Sequence, residues 1–114
     1  MLIFKVFRAA EWADLVRNGS TPGAPVDRSD GYVHFSTAGQ LAETLRRHFV
    51  GETGLVLVAM LAARGAPWLR WEPSRGGELF PHLYRDLELA DVHWSRELSD
   101  DPAKRELPTE PTCS

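Results

Sequence analysis

The feature that most constrains the fold is a continuous apolar run at residues 55–61, Leu-Val-Leu-Val-Ala-Met-Leu. A run of this length without polar alternation is typical of a strand that is covered on both faces. Even when it is extended to Ala63 it falls far short of a membrane span, so no membrane segment is expected. A chain of 114 residues is long enough for one core but not for two. We therefore expect a single domain with this run as its central strand.

The other segments predict strands and helices that do not alternate strictly. Four segments are rich in β-branched and aromatic residues, or alternate apolar with polar residues, as strands do. They are residues 2–7, 32–36, 68–72 and 92–98. Helical spacing predicts one helix over residues 10–18, ended by Gly19, and a second that begins near Thr37. About five strands and two principal helices without strict β-α-β order indicate the α+β class.

Two segments carry no apolar period. Residues 20–31 are rich in Gly, Pro, Ser and Asp, and we interpret them as a covering loop. Residues 99–114 contain three prolines and several charges with almost nothing apolar, which is typical of a flexible tail. The predicted organisation is one domain over residues 1–98 and a flexible polar tail over residues 99–114.

A stretch of unusual composition, residues 71–84, points to a site. It combines Trp71, Tyr84, two prolines, a glycine pair, an arginine, two glutamates and a histidine. Prolines and glycines fix the path of a loop, and loops held by a rigid scaffold often carry binding and catalytic groups. We therefore interpret this stretch as a loop that holds its polar side chains at set positions.

A second polar group precedes the predicted second helix. Tyr32, His34 and Ser36 alternate with apolar residues and so share the polar face of a strand. Thr37 and Gln40 have the spacing of a capping box, and free amides at this helix start, beside two hydroxyls, could hold an anion. His34 has both a structural interpretation, as a surface or backbone-bonded residue, and a functional one.

Composition and spacing argue against several classes of site. A net charge of −3 is not that of a dedicated nucleic-acid binder, so nucleic acid is not an expected partner. The four histidines lack close metal-ligand spacing, so no metal is expected. Cys113, the single cysteine, is the penultimate residue, and no phosphate-binding glycine motif or serine elbow occurs. These features, with an N-terminus too charged for a signal peptide, fit a cytoplasmic protein; the oligomeric state is left open.

What remains is a polar and aromatic cluster drawn from two segments. Its members are His34, Ser36, Thr37, Trp71, Glu72, Ser74, Arg75, His82 and Tyr84. The set suits a small nucleotide-like ligand, because an arginine binds phosphate in a bidentate manner, an aromatic ring stacks on a base and a carboxylate meets a hydroxyl or a developing cation. The alternative is a braced loop in which Glu72 pairs with Arg75, His82 caps the loop and the aromatic residues belong to the core.

Two motifs resemble a small bacterial family, domain-of-unknown-function family 952. The first is Asp30-Gly31-Tyr32-Val33-His34-Phe35-Ser36-Thr37; the second is Arg70-Trp71-Glu72-Pro73-Ser74-Arg75-Gly76-Gly77, followed by Phe80-Pro81-His82-Leu83-Tyr84. The resemblance extends from the first strand to about Leu98. It implies a fold similar to the ADP-ribosylation fold, the small split antiparallel sheet of NAD-dependent ADP-ribosyltransferases and of the RNA 2′-phosphotransferase.

The resemblance also implies roles for individual residues. In ADP-ribosyltransferases a His or Arg on the first strand holds the NAD ribose, and a late Glu stabilises the oxocarbenium-like transition state. On this chain the first strand offers Lys5 or Arg8 instead, and Glu72 is the late carboxylate. The transferase pattern is incomplete, because Ala38 stands where a Ser-Thr-Ser segment would end and no Glu-x-Glu or Gln-x-Glu accompanies Glu72.

Three functional hypotheses follow. The first is an enzyme of the ADP-ribosyl-transferring type with NAD as a substrate, in which Glu72 stabilises positive charge at the ribose, His34 orients a ribose hydroxyl and Arg75 holds phosphate. The second is a non-catalytic module that binds a small ligand or a partner on a degenerate transferase scaffold. The third is an RNA 2′-phosphotransferase, an activity that would call for more arginine in the cleft and for a less acidic protein. The nucleotide site requires His34 and Glu72 on one face of the sheet.

Overall fold

The computed structural model describes residues 1–74 and 76–109, and its elements confirm the α+β class. In chain order the strands and α-helices are β1 (Leu2–Arg8), α1 (Ala9–Asn18), β2 (Ser20–Thr21), α2 (Pro25–Asp30), β3 (Val33–His34), α3 (Leu41–His48), β4 (Leu55–Leu61), β5 (Leu69–Ser74), β6 (Glu78–Leu83), β7 (Leu87–Glu88) and β8 (Val92–Glu97). Short 3-10 turns occupy Ala38–Gln40, Ala62–Gly65, Leu89–Asp91 and Pro102–Lys104. Within the described ranges, no helix is long and apolar enough to cross a membrane.

The strands form two three-stranded antiparallel sheets and one short two-stranded sheet. The first sheet has the order β1-β4-β8, the second has the order β3-β6-β5, and β2 pairs with β7. A backbone bridge joins the two larger sheets: the Phe4 N–H donates to the Ser36 carbonyl at 2.8 Å, and the Ser36 N–H donates to the Phe4 carbonyl at 2.7 Å. The antiparallel strands are therefore divided between sheets that this backbone bridge joins directly.

Strand β4 is the central strand of the first sheet and is covered on both faces, as its composition predicted. Its even-numbered residues from Val56 to Met60 pack into one apolar cluster, which includes residues of α1 and the second sheet. Its odd-numbered residues from Leu55 to Ala59 pack into another, on the side of α3. Each fully buried Leu or Val side chain contributes about 1.5–3 kcal/mol of transfer free energy, so both layers depend on this strand.

Residues 20–31 contain β2 and α2, so the prediction of a loop there was wrong. Pro25 stands in the first turn of α2, where a missing N–H has no cost. The Asp27 carboxylate accepts a hydrogen bond from the Ala24 N–H at 2.7 Å, which satisfies a donor at the helix start. Gly31 ends the helix in the left-handed conformation. A helix of six residues is too short to show an apolar period, so only these end signals mark it in the sequence.

Residues 71–84 form most of a β-hairpin, so their interpretation as a loop was also wrong. Strands β5 and β6 pair in register along their whole length. Gly76 and Gly77 in the turn both have positive φ, 73° and 84°, which glycine adopts at little cost. Arg75 lies outside the described residues. The polar side chains of this stretch are therefore held by a regular ladder, which fixes their spacing and the face to which each one points.

Residues 99–109, expected to belong to a flexible tail, contact the domain at several points. The Asp100 carboxylate accepts a hydrogen bond from the Gly54 N–H at 2.9 Å. Leu107 packs against the apolar cluster on the side of α3. Residues 110–114, with the single cysteine, lie outside the described part of the chain.

Candidate functional site

The second sheet carries a row of polar and aromatic side chains on the face away from its apolar cluster. His34 of β3 lies directly opposite His82 of β6, and His82 lies directly opposite Arg70 of β5. Residues in register point to the same face, as do residues two positions apart along a strand. We call this surface the imidazole face. Its residues are Tyr32, His34, Arg70, Glu72, His82 and Tyr84.

Glu72 lies at the centre of the contacts on the imidazole face. Its Oε1 accepts a hydrogen bond from the Tyr84 hydroxyl at 2.6 Å and faces His82 Nδ1 at 2.9 Å. The hydrogen bond from Tyr84, followed by the one from His82, lowers the pKa of Glu72. Within residues 1–74 and 76–109, its Oε2 has no hydrogen-bond partner. Glu72 is therefore an ionised carboxylate with Oε1 held in place and, among the described residues, with Oε2 free of hydrogen bonds.

The aromatic rings on this face pack against one another. Tyr32 stacks on the buried ring of His82, with centroids 4.2 Å apart and planes at 22°. The Tyr32 ring also lies 5.0 Å from that of Tyr84. The guanidinium carbon of Arg70 is 4.8 Å from the centre of the Tyr84 ring, a cation–π distance. The face therefore offers aromatic surface and a cation beside the Glu72 carboxylate.

A second pairing of imidazole with carboxylate holds His34. Its Nδ1 lies 2.6 Å from Asp27 Oδ1, which also accepts the His34 backbone N–H at 3.0 Å. Its Nε2 lies 3.0 Å from Asp30 Oδ2. Its ring centroid is 5.3 Å from that of His82. Since a carboxylate only accepts hydrogen bonds, the His34 ring can donate to both carboxylates only when both of its nitrogens carry a proton.

Asp27 itself is buried against a lysine of the first strand. The Lys5 ammonium lies 2.8 Å from Asp27 Oδ2 and donates to the His34 carbonyl at 3.0 Å. Asp27 is 1% exposed and Lys5 is 7% exposed. Burial alone would raise the pKa of Asp27, but the hydrogen bonds from His34 and Lys5 and the charge of Lys5 outweigh it and hold the pKa at about 2. A single ionised carboxylate thus ties α2 to β1 and β3.

The depressed pKa of Asp27 leads us to expect a loss of stability in acid. Its folded-state pKa of about 2 lies below its ordinary value of 3.8, so the unfolded chain binds the proton more tightly. The stabilisation by Asp27 is complete above about pH 5 and is lost as the pH falls towards about 2. The free energy of unfolding should fall by about 2 kcal/mol over this range. Urea unfolding at a series of pH values measures this loss.

The control for the acid experiment is Glu43→Gln. Glu43 also has a lowered pKa, caused first by its hydrogen bond from Arg46, but this pair lies on the exposed side of α3. Exposed ion pairs contribute little, so the variant should keep nearly the same dependence on pH. A free energy of unfolding that stays constant in the wild type from about pH 5 to about pH 2 would contradict the role of Asp27.

The predicted ligand residues at the start of the second helix already have partners. Ser36 is buried, and its hydroxyl lies 2.8 Å from that of Thr44. The Thr37 N–H donates to the side-chain oxygen of Gln40 at 2.9 Å, as the capping-box spacing predicted. A pocket of about 230 Å³ lies beside this turn, and its lining includes two glutamates. The occupied amide and the nearby carboxylates do not favour the anion site predicted there.

The predicted residues of β5 divide between its two faces. Trp71 alternates with its neighbours and points away from the imidazole face, with 39% of the residue exposed. Ser74 points to the same side as Glu72 but lies at the turn end of the hairpin. Arg75 lies outside the described residues, so its expected contacts stay predictions. The predicted residues that share the imidazole face are His34, Glu72, His82 and Tyr84.

Three further residues belong to this arrangement although none was among the predicted site residues. Tyr32 stands on the predicted polar face with His34, and Arg70 alternates with the apolar Leu69 and Trp71, so alternation alone could have selected both. Asp27 stands in the first turn after Pro25, which is a helix-start signal. Its burial against Lys5 has no local signal, because it depends on β1 and α2 meeting in three dimensions.

The carboxylates and imidazoles near this face occur mainly in pairs. Among the residues that the structure describes, no group of three or more His, Cys, Asp or Glu side chains is arranged to hold a metal ion. The face offers a ligand the Glu72 carboxylate, with aromatic surface and the Arg70 guanidinium beside it.

Comparisons with known proteins identify a family model and solved relatives. A model described as a protein of unknown function, DUF952, matches residues 6–95. The crystal structure of protein CC0527 from Caulobacter crescentus is 40% identical, with 87% of each chain covered and a TM-score of 0.84. A double mutant of that protein gives 39% identity with the same coverage and TM-score. Its solution NMR structure is 41% identical over 86% of this chain and 84% of that chain, with a TM-score of 0.77. No curated protein matches the chain.

Proposed function

We propose that this chain, which belongs to the DUF952 family, binds a nucleotide of the NAD or ADP-ribose class on its imidazole face. The observation that carries the proposal is the shared orientation of His34 and Glu72, whose strands flank β6 in the second sheet. Had the two side chains pointed to opposite faces, no ligand could reach both. Resemblance to ADP-ribosyltransferases suggests the ligand class, and the aromatic rings of Tyr32 and Tyr84 beside Glu72 suit it.

In the proposed reaction the N-glycosidic bond of the bound dinucleotide breaks, nicotinamide leaves with the bonding electrons, and water or an acceptor group forms the new bond to the ribose carbon. As that bond breaks, the ribose carbon gains positive charge, and an ionised carboxylate held in place stabilises it without reorganising. Glu72 meets this requirement, because Tyr84 and His82 hold Oε1 and no other described residue forms a hydrogen bond with Oε2. His34 is assigned to a ribose hydroxyl that takes the place of the exposed Asp30 carboxylate at Nε2, and Arg75 is assigned to phosphate.

Glu72→Gln is expected to lower the rate of nicotinamide release on the order of 100-fold while NAD still binds. Glutamine keeps the shape and can still accept hydrogen bonds from Tyr84 and His82, but it carries no charge. Calorimetry with NAD and with ADP-ribose measures binding, and a nicotinamide assay measures release. His34→Ala should weaken binding of both ligands, because the ribose contact is lost.

Glu97→Gln is the matched control for this experiment, since Glu97 is an exposed glutamate on β8. This variant should bind NAD and ADP-ribose and release nicotinamide as the wild type does. Absence of binding of both NAD and ADP-ribose at millimolar concentration would refute the proposed function.

A second candidate is a non-catalytic module that binds the same class of ligand. The observation that favours it is the burial of Lys5, because the first-strand cation that would hold the NAD ribose is paired with Asp27 instead. Arg8, the other first-strand cation, pairs with Glu52 at 2.6 Å. Binding without nicotinamide release, unchanged in Glu72→Gln, would support this candidate over the enzyme.

A further inference from the structure

Strand β5 forms an open edge of the second sheet, and its outward backbone groups can be assigned. Pro81, opposite Trp71, has no N–H, and its carbonyl accepts the Phe35 N–H at 3.0 Å on the side away from β5. Because backbone groups of an antiparallel strand alternate in direction, the Trp71 N–H and C=O must point away from β6. The same alternation sends the groups of Leu69 and Pro73 outward. Within the described ranges, none of these outward groups has a hydrogen-bond partner.

The charges along this edge are self-complementary. Arg70 and Glu72 flank Trp71 and point to the imidazole face. If a second copy of β5 is placed antiparallel about a two-fold axis at Trp71, Arg70 of each copy faces Glu72 of the other. Opposite charges directly across neighbouring strands stabilise the pair, and like charges there destabilise it. A two-fold axis uses the same patch on both chains, so both contacts form together.

The other face of the hairpin adds apolar surface to the same edge. Trp71 is 39% exposed and Leu79 is 50% exposed, although both are large apolar residues. Exposed apolar surface of this kind is typical of interaction sites. In the two-fold arrangement the Trp71 side chains of the two copies lie next to each other on this face. Burial of Trp71 therefore accompanies pairing of the backbone.

Pro73 limits the number of hydrogen bonds that this edge can form. The Trp71 groups of the two copies can bond each other, and the Leu69 N–H can donate to the carbonyl of Pro73 in the other copy. The Leu69 carbonyl receives nothing in return, because proline has no N–H. Proline on an edge strand commonly restricts open-ended association, and here it confines the usable edge to a short segment about Trp71.

We propose that two copies of this chain associate through antiparallel pairing of their β5 edges, centred on Trp71. The pairing continues the second sheet from one copy into the other. It places the Arg70 guanidinium of one copy beside the Glu72 carboxylate of the other, so each copy contributes a cation to the imidazole face of its neighbour. The inference concerns assembly and goes beyond the nucleotide proposal; both use Glu72, and sedimentation without added nucleotide tests the assembly separately.

The test is sedimentation analysis over a concentration series from micromolar to millimolar, with charge reversals. Wild type should form a dimer, and Arg70→Glu should weaken self-association on the order of tenfold or more, because carboxylates then face carboxylates. Glu72→Arg should weaken self-association to a similar extent, because guanidinium groups then face each other. An equimolar mixture of these two variants should form a heterodimer, since one then carries only negative and the other only positive charge at the paired positions.

Circular dichroism and thermal unfolding confirm that each variant is folded. Arg17→Glu, a charge reversal on the exposed side of α1, is the control and should leave dimerisation unchanged. The doubly reversed chain, Arg70→Glu with Glu72→Arg, restores complementary charges and should dimerise. A wild-type protein that stays monomeric at millimolar concentration overturns the proposal. So does a dimer whose affinity neither single reversal alters, since its interface would lie elsewhere.

Discussion

Replacing Asp27 by asparagine is expected to lower the free energy of unfolding by about 3–5 kcal/mol, the cost of leaving a buried charge without its partner. Asp27 Oδ1 accepts from the His34 N–H and Nδ1, and Oδ2 accepts from the Ala24 N–H and the Lys5 ammonium. Asparagine has one acceptor oxygen, so its NH₂ group would face two of these donors whichever way it turned. Lys5 would lose the carboxylate that neutralises it. A domain stabilised by about 5–15 kcal/mol would lose a large share.

Urea unfolding followed by circular dichroism measures this loss, and Asp14→Asn is its control. Asp14 pairs with Arg17 on the exposed surface of α1, and an exposed pair contributes about 0–1 kcal/mol. The NMR signals of the His34 ring should also shift in Asp27→Asn, because Nδ1 loses its charged acceptor. Equal losses of stability in the two variants would show that the buried Asp27 contacts stabilise the fold no more than the exposed Asp14–Arg17 pair does.

Replacing Gly23 by alanine is expected to lower the free energy of unfolding by about 2–4 kcal/mol. Gly23 has φ of 100°, and left-handed backbone costs an alanine about 1–2 kcal/mol. A Cβ atom at this position would lie 2.2 Å from Asp27 Oδ2 and 2.6 Å from Asp27 Cβ. The carboxylate would have to move away from Lys5 and Ala24, and overpacking of this kind costs about 1–3 kcal/mol.

Gly19→Ala separates the backbone cost from the packing cost. Gly19 has φ of 81°, and a Cβ there would meet nothing within 4 Å, so only the conformational cost of about 1–2 kcal/mol is expected. Gly23→Ala combined with Asp27→Asn should cost less than the sum of the two, because both changes break the same contacts. If denaturant unfolding gives Gly23→Ala no larger loss than Gly19→Ala, the close approach of Gly23 to Asp27 is refuted.

The parts of the fold that were predicted correctly have local causes. Strand β4 was identified because seven consecutive apolar residues can be buried only when both faces are covered. The position of His34 on a polar face followed from alternation, which is a property of the strand itself. The Thr37 capping interaction followed from spacing, and its hydrogen bond to Gln40 is present.

The prediction of a loop at residues 71–84 was wrong because prolines usually signal loops, whereas here both prolines stand in strands. Pro73 lies on the edge strand, where its missing N–H would have pointed outward and costs the ladder nothing. Pro81 lies on the central strand of its sheet, but the neighbouring β3 is only two residues long, so little pairing is lost there. Strand pairing in three dimensions decided the outcome, and composition alone carries no information about it.

The Asp27 contacts lay beyond prediction for the same reason. A lysine on an apolar strand is read most simply as a solvent-facing charge on an edge strand. Lys5 is instead buried, because α2 brings a carboxylate to it and the His34 carbonyl accepts a further hydrogen bond. Helix α2, the carboxylate and the lysine each give a weak local signal. These residues come together only when α2 packs against β1.

Most strand pairs in the described part of the chain join distant segments, since β1 pairs with β4, β2 with β7 and β3 with β6. Such contacts require costly loop closure before they gain free energy, which slows folding. Strand β6 and the residue that follows it bring His82 and Tyr84 to the face that carries His34, so a nascent chain that still lacks β6 has no such surface. Any ligand that needs both His34 and His82 can therefore bind only after β6 has been synthesised and has paired with β3.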